Sequence, residues 1–385
     1  MFKQFKIIYV AALLILAPLF ANAEAEIRHI TPPKLDSAHL DRKILCHRPM
    51  RHGSPNMSIE KVGSKVVANN YGHGGSGWTL GPGSASYVNN QLINSKGATD
   101  LQKDSPITII GGGALGLYTA YDLYEKGYRN ITIVAQQFDS LPSHNAGGLL
   151  APVSMDNDPE MQKIIEQIGI DAYIFYQAVA EKKHPYFKKG AVIVPTYFAN
   201  REDSGLEPYV GKVMQPAKDV ILDFGNGTTR EMVSYDDGIF IDTSEMMDSL
   251  MSYVKNKKIK LINKKITSFD DINTKYIINC SGMGAKELNH DDKMVSIQGH
   301  LIMLKDQKPA DLQYMILVYF GEGKTEAGQK IKRSFYIFPK HLPNSSPNDV
   351  GVLGGTFIEN ATATTPNKKE FDIVVKNAKD FYGIK

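Results

Sequence analysis

The segment from Ile107 to Val134 limits the fold more than any other part of this 385-residue chain. Ile107 to Ile110 is an apolar, β-branched run that reads as a buried strand. Ala114 to Lys126 carries Leu115, Leu117, Ala120 and Leu123 at helical spacing, and Gly127 is placed to end that helix. Ile131 to Val134 is a second strand. A β-α-β unit of this kind implies a parallel sheet with buried strands. Between strand and helix stands Gly111-Gly112-Gly113-Ala114-Leu115-Gly116, a G-x-G-x-x-G motif in its required context. Gly111 permits the tight turn, Gly113 lets the backbone approach a pyrophosphate, and Gly116 lets helix and strand pack closely. The helix N-terminus offers unpaired N–H groups to the phosphates. Gln136 stands about where an acidic residue normally binds the adenosine ribose. It can donate and accept without charge, so the motif by itself fits NAD or FAD.

Around this unit the chain changes character. Lys3 and Lys6, the apolar run Ile7 to Phe20 and Ala21-Asn22-Ala23 form the pattern of a signal peptide over 1–23. The run is shorter than the ~20 residues that span a bilayer. It therefore predicts export to the periplasm or medium, with a retained membrane anchor as the alternative. Helices are predicted over Met161–Glu181, Thr243–Lys255, with Asp242 or Thr243 as its cap, and Lys368–Phe381. Strand-like runs are Val66–Ala68, Val192–Phe198, Gly238–Ile241, Ile259–Ile262, Tyr276–Asn279, Leu301–Leu304, Tyr314–Tyr319, Ser334–Phe338 and Val350–Leu353. Glu24 to Lys43 reads as irregular, and Asn94 to Ser105 as a polar linker. The fold class is α/β: a Rossmann-like dinucleotide domain with a parallel sheet, plus a second α+β, mainly antiparallel domain.

Composition removes several alternatives. With 44 basic and 41 acidic residues, the chain gives no reason to expect nucleic acid or an anionic membrane as partner. Cys46 and Cys280 are too few for a disulfide scaffold or a C-x-x-C metal site. They read as free thiols, Cys46 in a polar loop and Cys280 at a strand end. The ten His show no H-E-x-x-H spacing, and no G-x-S-x-G follows a strand. No metal is predicted.

Two further stretches are built of small residues: Ser143-His144-Asn145-Ala146-Gly147-Gly148-Leu149-Leu150-Ala151-Pro152, and Asn70-Tyr71-Gly72-His73-Gly74-Gly75-Ser76-Gly77-Trp78-Thr79. Both let backbone N–H groups reach a bulky planar ligand. His73, between glycines, reads as a residue that shapes its loop. Together with Ile109 to Gly116, Asn279 to Gly282, Ser334 to Pro339 and Gly354-Gly355, these stretches resemble the D-amino-acid oxidase family of FAD enzymes over most of the chain from about Leu45.

The resemblance implies FAD as cofactor, held by Gly111, Gly113, Ala114, Leu115, Gly116, Gln136, Ala146, Gly147, Gly148, Leu149, Ile266, Ser281, Gly74, Gly75, Ser76, Gly77, Trp78 and Thr79. It implies Arg51 as the carboxylate-binding arginine, Tyr336 as a hydroxyl partner of the same carboxylate, and Gly75 as the carbonyl that accepts from the substrate amine. The reaction implied is oxidative deamination of a D-amino acid to a 2-oxo acid, ammonia and hydrogen peroxide, by hydride transfer to flavin. Its partners are a small amino-acid substrate and oxygen or another electron acceptor, with the membrane involved only through an uncleaved signal segment. The alternatives are a glycine- or sarcosine-type amine oxidase and a non-catalytic flavoprotein-fold binding protein. Lys332 and Arg333 stand near the position of the family's lid tyrosine, where they would favour an acidic substrate or remain solvated. His300 is a further candidate to face the site.

The order of the motifs departs from the family. Arg48-Pro49-Met50-Arg51 and the glycine stretch, which end a family member, precede the β-α-β unit here. A circular permutation would explain this, with 80–105 joining old end to old beginning. The domains expected are 24–152 with 234–296 for FAD and 153–233 with 297–385 for substrate. Permutation requires Lys385 and the neighbourhood of Leu40 to lie close together.

Overall fold

The computed structural model describes residues 25–152, 155, 157–341, 345–361 and 367–385. The predicted signal segment lies outside them. The β-α-β unit forms as expected. β5 (Ile107–Ile110) and β6 (Ile131–Ala135) are parallel and joined by α2 (Ala114–Glu125), which ends at Gly127 with φ +94°. Four more strands extend this sheet: β3 (Ile59–Val62), β4 (Lys65–Asn69), β12 (Lys260–Asn263) and β13 (Tyr276–Asn279). Its order is β12-β6-β5-β13-β4-β3, parallel except for the β3–β4 hairpin.

A second sheet holds nine strands in the order β1-β9-β10-β8-β15-β16-β17-β14-β2. Their ranges are β1 (Glu26–His29), β2 (Leu40–Arg51), β8 (Thr196–Phe198), β9 (Lys218–Asp223), β10 (Thr229–Tyr235), β14 (Met294–Leu304), β15 (Met315–Lys324), β16 (Lys330–His341) and β17 (Val350–Glu359). It is mainly antiparallel, as expected, with parallel pairs at β1–β9 and β8–β15. A small pair, β7 (Ala191–Ile193) with β11 (Ile239–Ile241), bridges the layers. The helices are α1 (Gly77–Ile93), α3 (Pro142–Asn145), α4 (Pro159–Ala180), α5 (Thr243–Asn256), α6 (Ala285–Leu288) and α7 (Lys369–Tyr382). Asp242 caps α5, accepting from the Ser244 and Glu245 N–H groups at 3.1 Å.

Several boundaries differ from the sequence-based expectation. Residues 26–51 form β1 and β2 at opposite edges of the nine-stranded sheet, so they do not belong with the cofactor domain. The charged run Asp41-Arg42-Lys43 conceals β2 because an edge strand leaves one side to solvent. Cys46 lies on this strand and is buried, not in a polar loop. Residues 80–93 are not linker but most of α1. Its glycines and Pro82 give it poor helix propensity. Leu80, Ala85, Val88 and Leu92 are nevertheless fully buried in the main core, so packing decides the conformation. α4, placed by the sequence in the substrate domain, packs on α1 in the same core as the six-stranded sheet.

Two segments far apart in sequence pack on one cluster. Leu40 and Ile384 both pack against the core of Ile30, Leu35, Phe371, Phe381 and Tyr382. Asn226 Nδ2 donates to the Tyr382 carbonyl at 2.8 Å, one turn from where β1 ends against Asp223. The C-terminal end of α7 thus lies beside the β9–β10 turn, whereas Leu40 pairs with Leu304 at the β2 edge of the sheet.

The contact between α1 and α4 rests on a missing side chain. A Cβ on Gly83 would collide with the carbonyl oxygen of Ile168. Gly83→Val should therefore cost about 1–3 kcal/mol through overpacking, read as a lower urea midpoint. An unchanged midpoint would show that the two helices separate freely.

Candidate active site

Parallel pairing sets Asn69, Asn279, Ile110 and Val134 side by side across the sheet. The loops that follow β4, β13, β5 and β6 therefore leave along one edge, the carboxyl ends of the strands. They open onto a cavity of about 1250 Å³. Its walls include Gly72–Gly75, Gly77, Trp78, Gly111–Leu115, Gln136, Ser143, Ala146–Leu149, Ile266 and Ser281–Gly284. The sequence-predicted cofactor residues thus converge, although their motifs lie far apart along the chain.

The backbone at each motif is closely constrained. Gly111 has φ +117°, and a Cβ there would strike the Cys280 carbonyl. Gly116 does not line the cavity; its bare α-carbon packs on the Gly111 carbonyl, the close helix–strand contact the motif predicts. Gly148 has φ +103°, and its carbonyl accepts from the Ile241 N–H at 2.7 Å. Thr79 and Ser76 lie behind the wall. The Thr79 hydroxyl bonds the carbonyls of Leu149 and Ala151 at 3.2 and 3.0 Å, joining the two glycine-rich loops. Trp78 Nε1 donates to the Ser143 carbonyl at 2.9 Å for the same effect. His73 is buried, and desolvation pulls its pKa down to about 4. It bonds Ser84 Oγ at 2.9 Å, and Ser84 donates to Asn70 at 2.5 Å. It shapes the loop, as its glycine setting suggested. Sequence reasoning missed Ser143 as a helix partner: its hydroxyl accepts from the Ala114 N–H at 3.1 Å.

The nine-stranded sheet supplies the opposite wall, and here one expectation is corrected. Arg51 does not line the cavity. Its Nε donates to Asp291 Oδ2 at 2.7 Å and its Nη1 to the Ser54 carbonyl at 3.0 Å. Tyr71 donates to the same Asp291 oxygen at 2.9 Å. Burial opposes the Asp291 charge, but Arg51 and Tyr71 hold its pKa below the usual value. The cavity arginine is Arg48, three residues earlier. Side chains three apart on a strand project from opposite faces, while Cys46 and Arg48, two apart, share one. Arg48 lies beside Tyr336 and Cys46. Burial works against its charge, yet the Cys46 and Tyr336 groups outweigh that and raise its pKa further.

Tyr336 lies where the sequence placed it. Burial raises its pKa, so the phenol stays protonated and able to donate. Its ring stacks on Phe338 at 4.6 Å between centroids and 4° between planes. Gly147 lies against Phe338: a Cβ there would come within 2.8 Å of the ring.

Of the two cations read as favouring an acidic substrate or staying solvated, Arg333 is bound elsewhere and Lys332 is solvated. Arg333 is clamped by Glu370 at 2.7 and 3.0 Å, away from the cavity. Lys332 lines the mouth but pairs with Glu322 at 3.3 Å. His300 is buried behind the wall. Both cysteines are free, and burial pushes the Cys280 thiol up to about 12.

One buried cation escaped the sequence reading. Lys340 is 2% exposed, and its ammonium donates to Thr243 Oγ1 at 2.5 Å and to the His144 carbonyl at 3.2 Å. Thr243 Oγ1 also lies 3.1 Å from the Ala146 carbonyl, so this cation fastens the loop carrying Gly147. Desolvation lowers the Lys340 pKa to about 8, with Asp242 opposing. The unfolded lysine titrates near ~10.4, so between these values the unfolded chain binds the extra proton. Wild-type stability should therefore rise on the order of 3 kcal/mol with pH across that window from this group. Urea unfolding of Lys340→Met should lack that rise. Parallel curves for the two proteins would refute the buried charge.

With the site in view, comparison with known proteins is direct. Residues 106–384 match the FAD dependent oxidoreductase family. A D-amino-acid oxidase from Dictyostelium discoideum is 21% identical over 284 residues, covering 70% of this chain and 71% of that protein. One from Streptomyces coelicolor is 21% identical over 282 residues, covering 72% and 78%. The crystal structure of L-proline dehydrogenase from P. horikoshii shares the fold at a TM-score of 0.50 and 13% identity, covering 74% of this chain and 78% of that one. The family match begins after β2 and the Asn70–Thr79 loop, although both line the same cavity. FAD is the family's cofactor, and the cavity fits it. Gly111–Gly113 would offer bare backbone to the pyrophosphate, Gln136 and Ile266 would meet the adenosine, and Gly74, Gly75, Gly77 and Ala146–Leu149 would hold the ring. The chain belongs to the FAD-dependent oxidoreductase family typified by the D-amino-acid oxidases, enzymes that oxidise amines.

Proposed function

We propose that the protein oxidatively deaminates a D-amino acid, giving a 2-oxo acid, ammonia and, with oxygen as acceptor, hydrogen peroxide. The observation that carries this reading is the Arg48–Tyr336 pair, side by side in the wall of the cavity that the glycine loops also line. A guanidinium gives a carboxylate two parallel donors, and a phenol beside it adds a third. Anchoring the carboxylate there leaves the α-carbon facing the loops that hold the cofactor. Gly75 lines the same space, where its carbonyl is suited to accept from a neutral amine. The bound FAD supplies a two-electron acceptor for hydride. The protein's part is to fix the carboxylate, orient the Cα–H bond and exclude water, which proximity converts into rate. The imine that results is hydrolysed by water. The two D-amino-acid oxidase relatives support the D configuration.

Two subsidiary proposals accompany this one. The enzyme is exported: β1 begins at Glu26, three residues past the predicted cleavage site. The chain is also a circular permutant of its family: the segment ahead of the family match adds strands to both sheets and lines the same cavity.

The test is anaerobic. The purified holoenzyme should be yellow and should bleach with D-amino acids. Bleaching by L-isomers alone would overturn the stereochemical reading, and bleaching by N-methyl substrates alone would favour a sarcosine-type enzyme. Arg48→Ala should lower kcat/KM by about 30-fold or more, equivalent to about 2 kcal/mol of lost carboxylate binding. Arg51→Ala should instead lower the unfolding midpoint and leave reduction kinetics close to wild type. The reverse pattern would return Arg51 to the site.

A further inference from the structure

Resting on the deamination reading and its carboxylate anchor at Arg48, we infer that the substrate is a D-amino acid with a basic side chain, of the kind of D-lysine or D-ornithine, and that Asp203 receives its side-chain cation. On the side of the cavity built by the nine-stranded sheet, several charges are already matched. Lys332 lies 3.3 Å from Glu322, and His52 stands 3.8 Å from Glu359. Three charges are not. Arg48 has no carboxylate in contact among the described residues, and Glu202 and Asp203, which also line the cavity, have no cation in contact among them. Their neighbour Arg201 is held by Asp219 at 2.8 Å. One unmatched cation and two unmatched carboxylates in one cavity complement a molecule with a carboxylate at one end and a cation at the other.

Strand pairing sets how far apart these poles lie. On β8 and β15, Phe198 stands opposite Leu317, and Leu317 in turn pairs with Tyr336 on β16. The anchor at Tyr336 is therefore two strand spacings from β8, roughly 10 Å. Just past β8 the chain reaches the cavity in the turn Glu202–Ser204. Leu317 and Tyr319 share one face of β15, and both line the cavity. Tyr319 is near both poles: burial raises its pKa, Asp203 adds to the rise, and Arg48 opposes it. Asp203 is fixed by its own loop. Asn200 Oδ1 accepts from the Asp203 N–H at 2.8 Å, and Asn200 Nδ2 donates to Asp203 Oδ2 at 2.8 Å. Asp203 Oδ1 has no partner among the described residues. Buried Ser204 pins the turn through the Arg201 carbonyl at 2.7 Å and the Tyr235 hydroxyl at 2.9 Å. Pro152 packs on Gly205 at the same turn and offers methylenes an apolar wall. A lysine side chain reaches about 6 Å from its α-carbon, long enough to cross from the anchor to this turn. An acidic side chain would meet two carboxylates there instead.

The experiment follows anaerobic reduction of the holoenzyme by D-lysine, by D-norleucine, which has the same chain without the ammonium, by D-glutamate and by D-alanine. At low salt, D-lysine should be preferred to D-norleucine about 5-fold or more, as a partly exposed charge pair allows. The difference should lie in the concentration for half-maximal reduction more than in the limiting rate. Salt at about 0.5 M should shrink the preference, because the pair is screened. D-Glutamate should be the poorest of the four. Asp203→Asn, of the same shape, should bring the ratio of D-lysine to D-norleucine within about 2-fold, and Asp203→Glu should keep most of it. Wild-type preference for D-norleucine or D-glutamate, or an undiminished ratio in Asp203→Asn, would overturn the assignment. If Asp203→Asn fails to retain flavin, the salt titration of the wild type decides, and a D-lysine preference indifferent to salt would overturn it. Reduction by D-alanine in those cases leaves the deamination reading standing. Reduction by none of the four would overturn that reading, and this one with it.

Discussion

The parallel register of β4, β13, β5 and β6 is the constraint on which the rest depends. It places Asn69, Asn279, Ile110 and Val134 in one row, so that four loops leave the sheet on the same edge. The Asn279 amide donates to Asn69 at 3.2 Å across the β13–β4 pair, bracing the row where the loops begin. A slip of one residue in any of these pairs would turn its strand's buried side chains to the opposite face. It would also withdraw a glycine loop from the cavity. The glycines at 111 and 148 then follow as necessities, because neighbouring carbonyls stand where a side chain would begin.

The second sheet answers this edge with a wall of chemistry. β2 lies at the end of nine strands, but its turn is held to the glycine loop: the Arg51 N–H bonds the Gly72 carbonyl at 3.1 Å. Arg51 itself is spent on Asp291, and that pairing fixes where β2 ends. With its end fixed, alternation along the strand sets Cys46 and Arg48 toward Tyr336. The two arginines of one tetrapeptide thereby divide their work, one bracing the strand and the other meeting the cavity. Lys340 contributes in a different way. It is a buried ammonium with no carboxylate in contact among the described residues, fastening the Ala146–Leu149 loop through Thr243 and the His144 carbonyl. Its desolvation is a stability cost carried by the cofactor loop.

Much of the cofactor half was readable in advance, and for a physical reason. Tight turns at G-x-G-x-x-G and at the other small-residue stretches are local requirements, written in the residues that satisfy them. Of the cofactor residues expected, all but Gly116, Ser76 and Thr79 line the cavity, and Gly116 and Thr79 support its wall from behind. The substrate half was read less well. Arg51 was preferred to Arg48 because a motif gives spacing but not the face of the strand. The permuted motif order makes 80–105 read as a joining segment, whereas most of α1 lies there, its Gly81 admitting Tyr118 of α2 and its Gly83 admitting α4. β2 was hidden by Asp41, Arg42 and Lys43, which an edge strand exposes at no cost. Lys332 and Arg333 looked available to a substrate until Glu322 and Glu370 came against them from distant segments.

The sequence by itself determined that a β-α-β unit with a dinucleotide turn would form, that two more small-residue loops would approach a planar ligand, and that a mainly antiparallel layer would follow. Those features depend on residues within a few positions of one another. Only the tertiary structure decided which arginine meets the cavity, which cations are neutralised, and how Asp203 and Lys340 are held. Each of those depends on the partner that a residue meets across the fold, and on how much water remains between them.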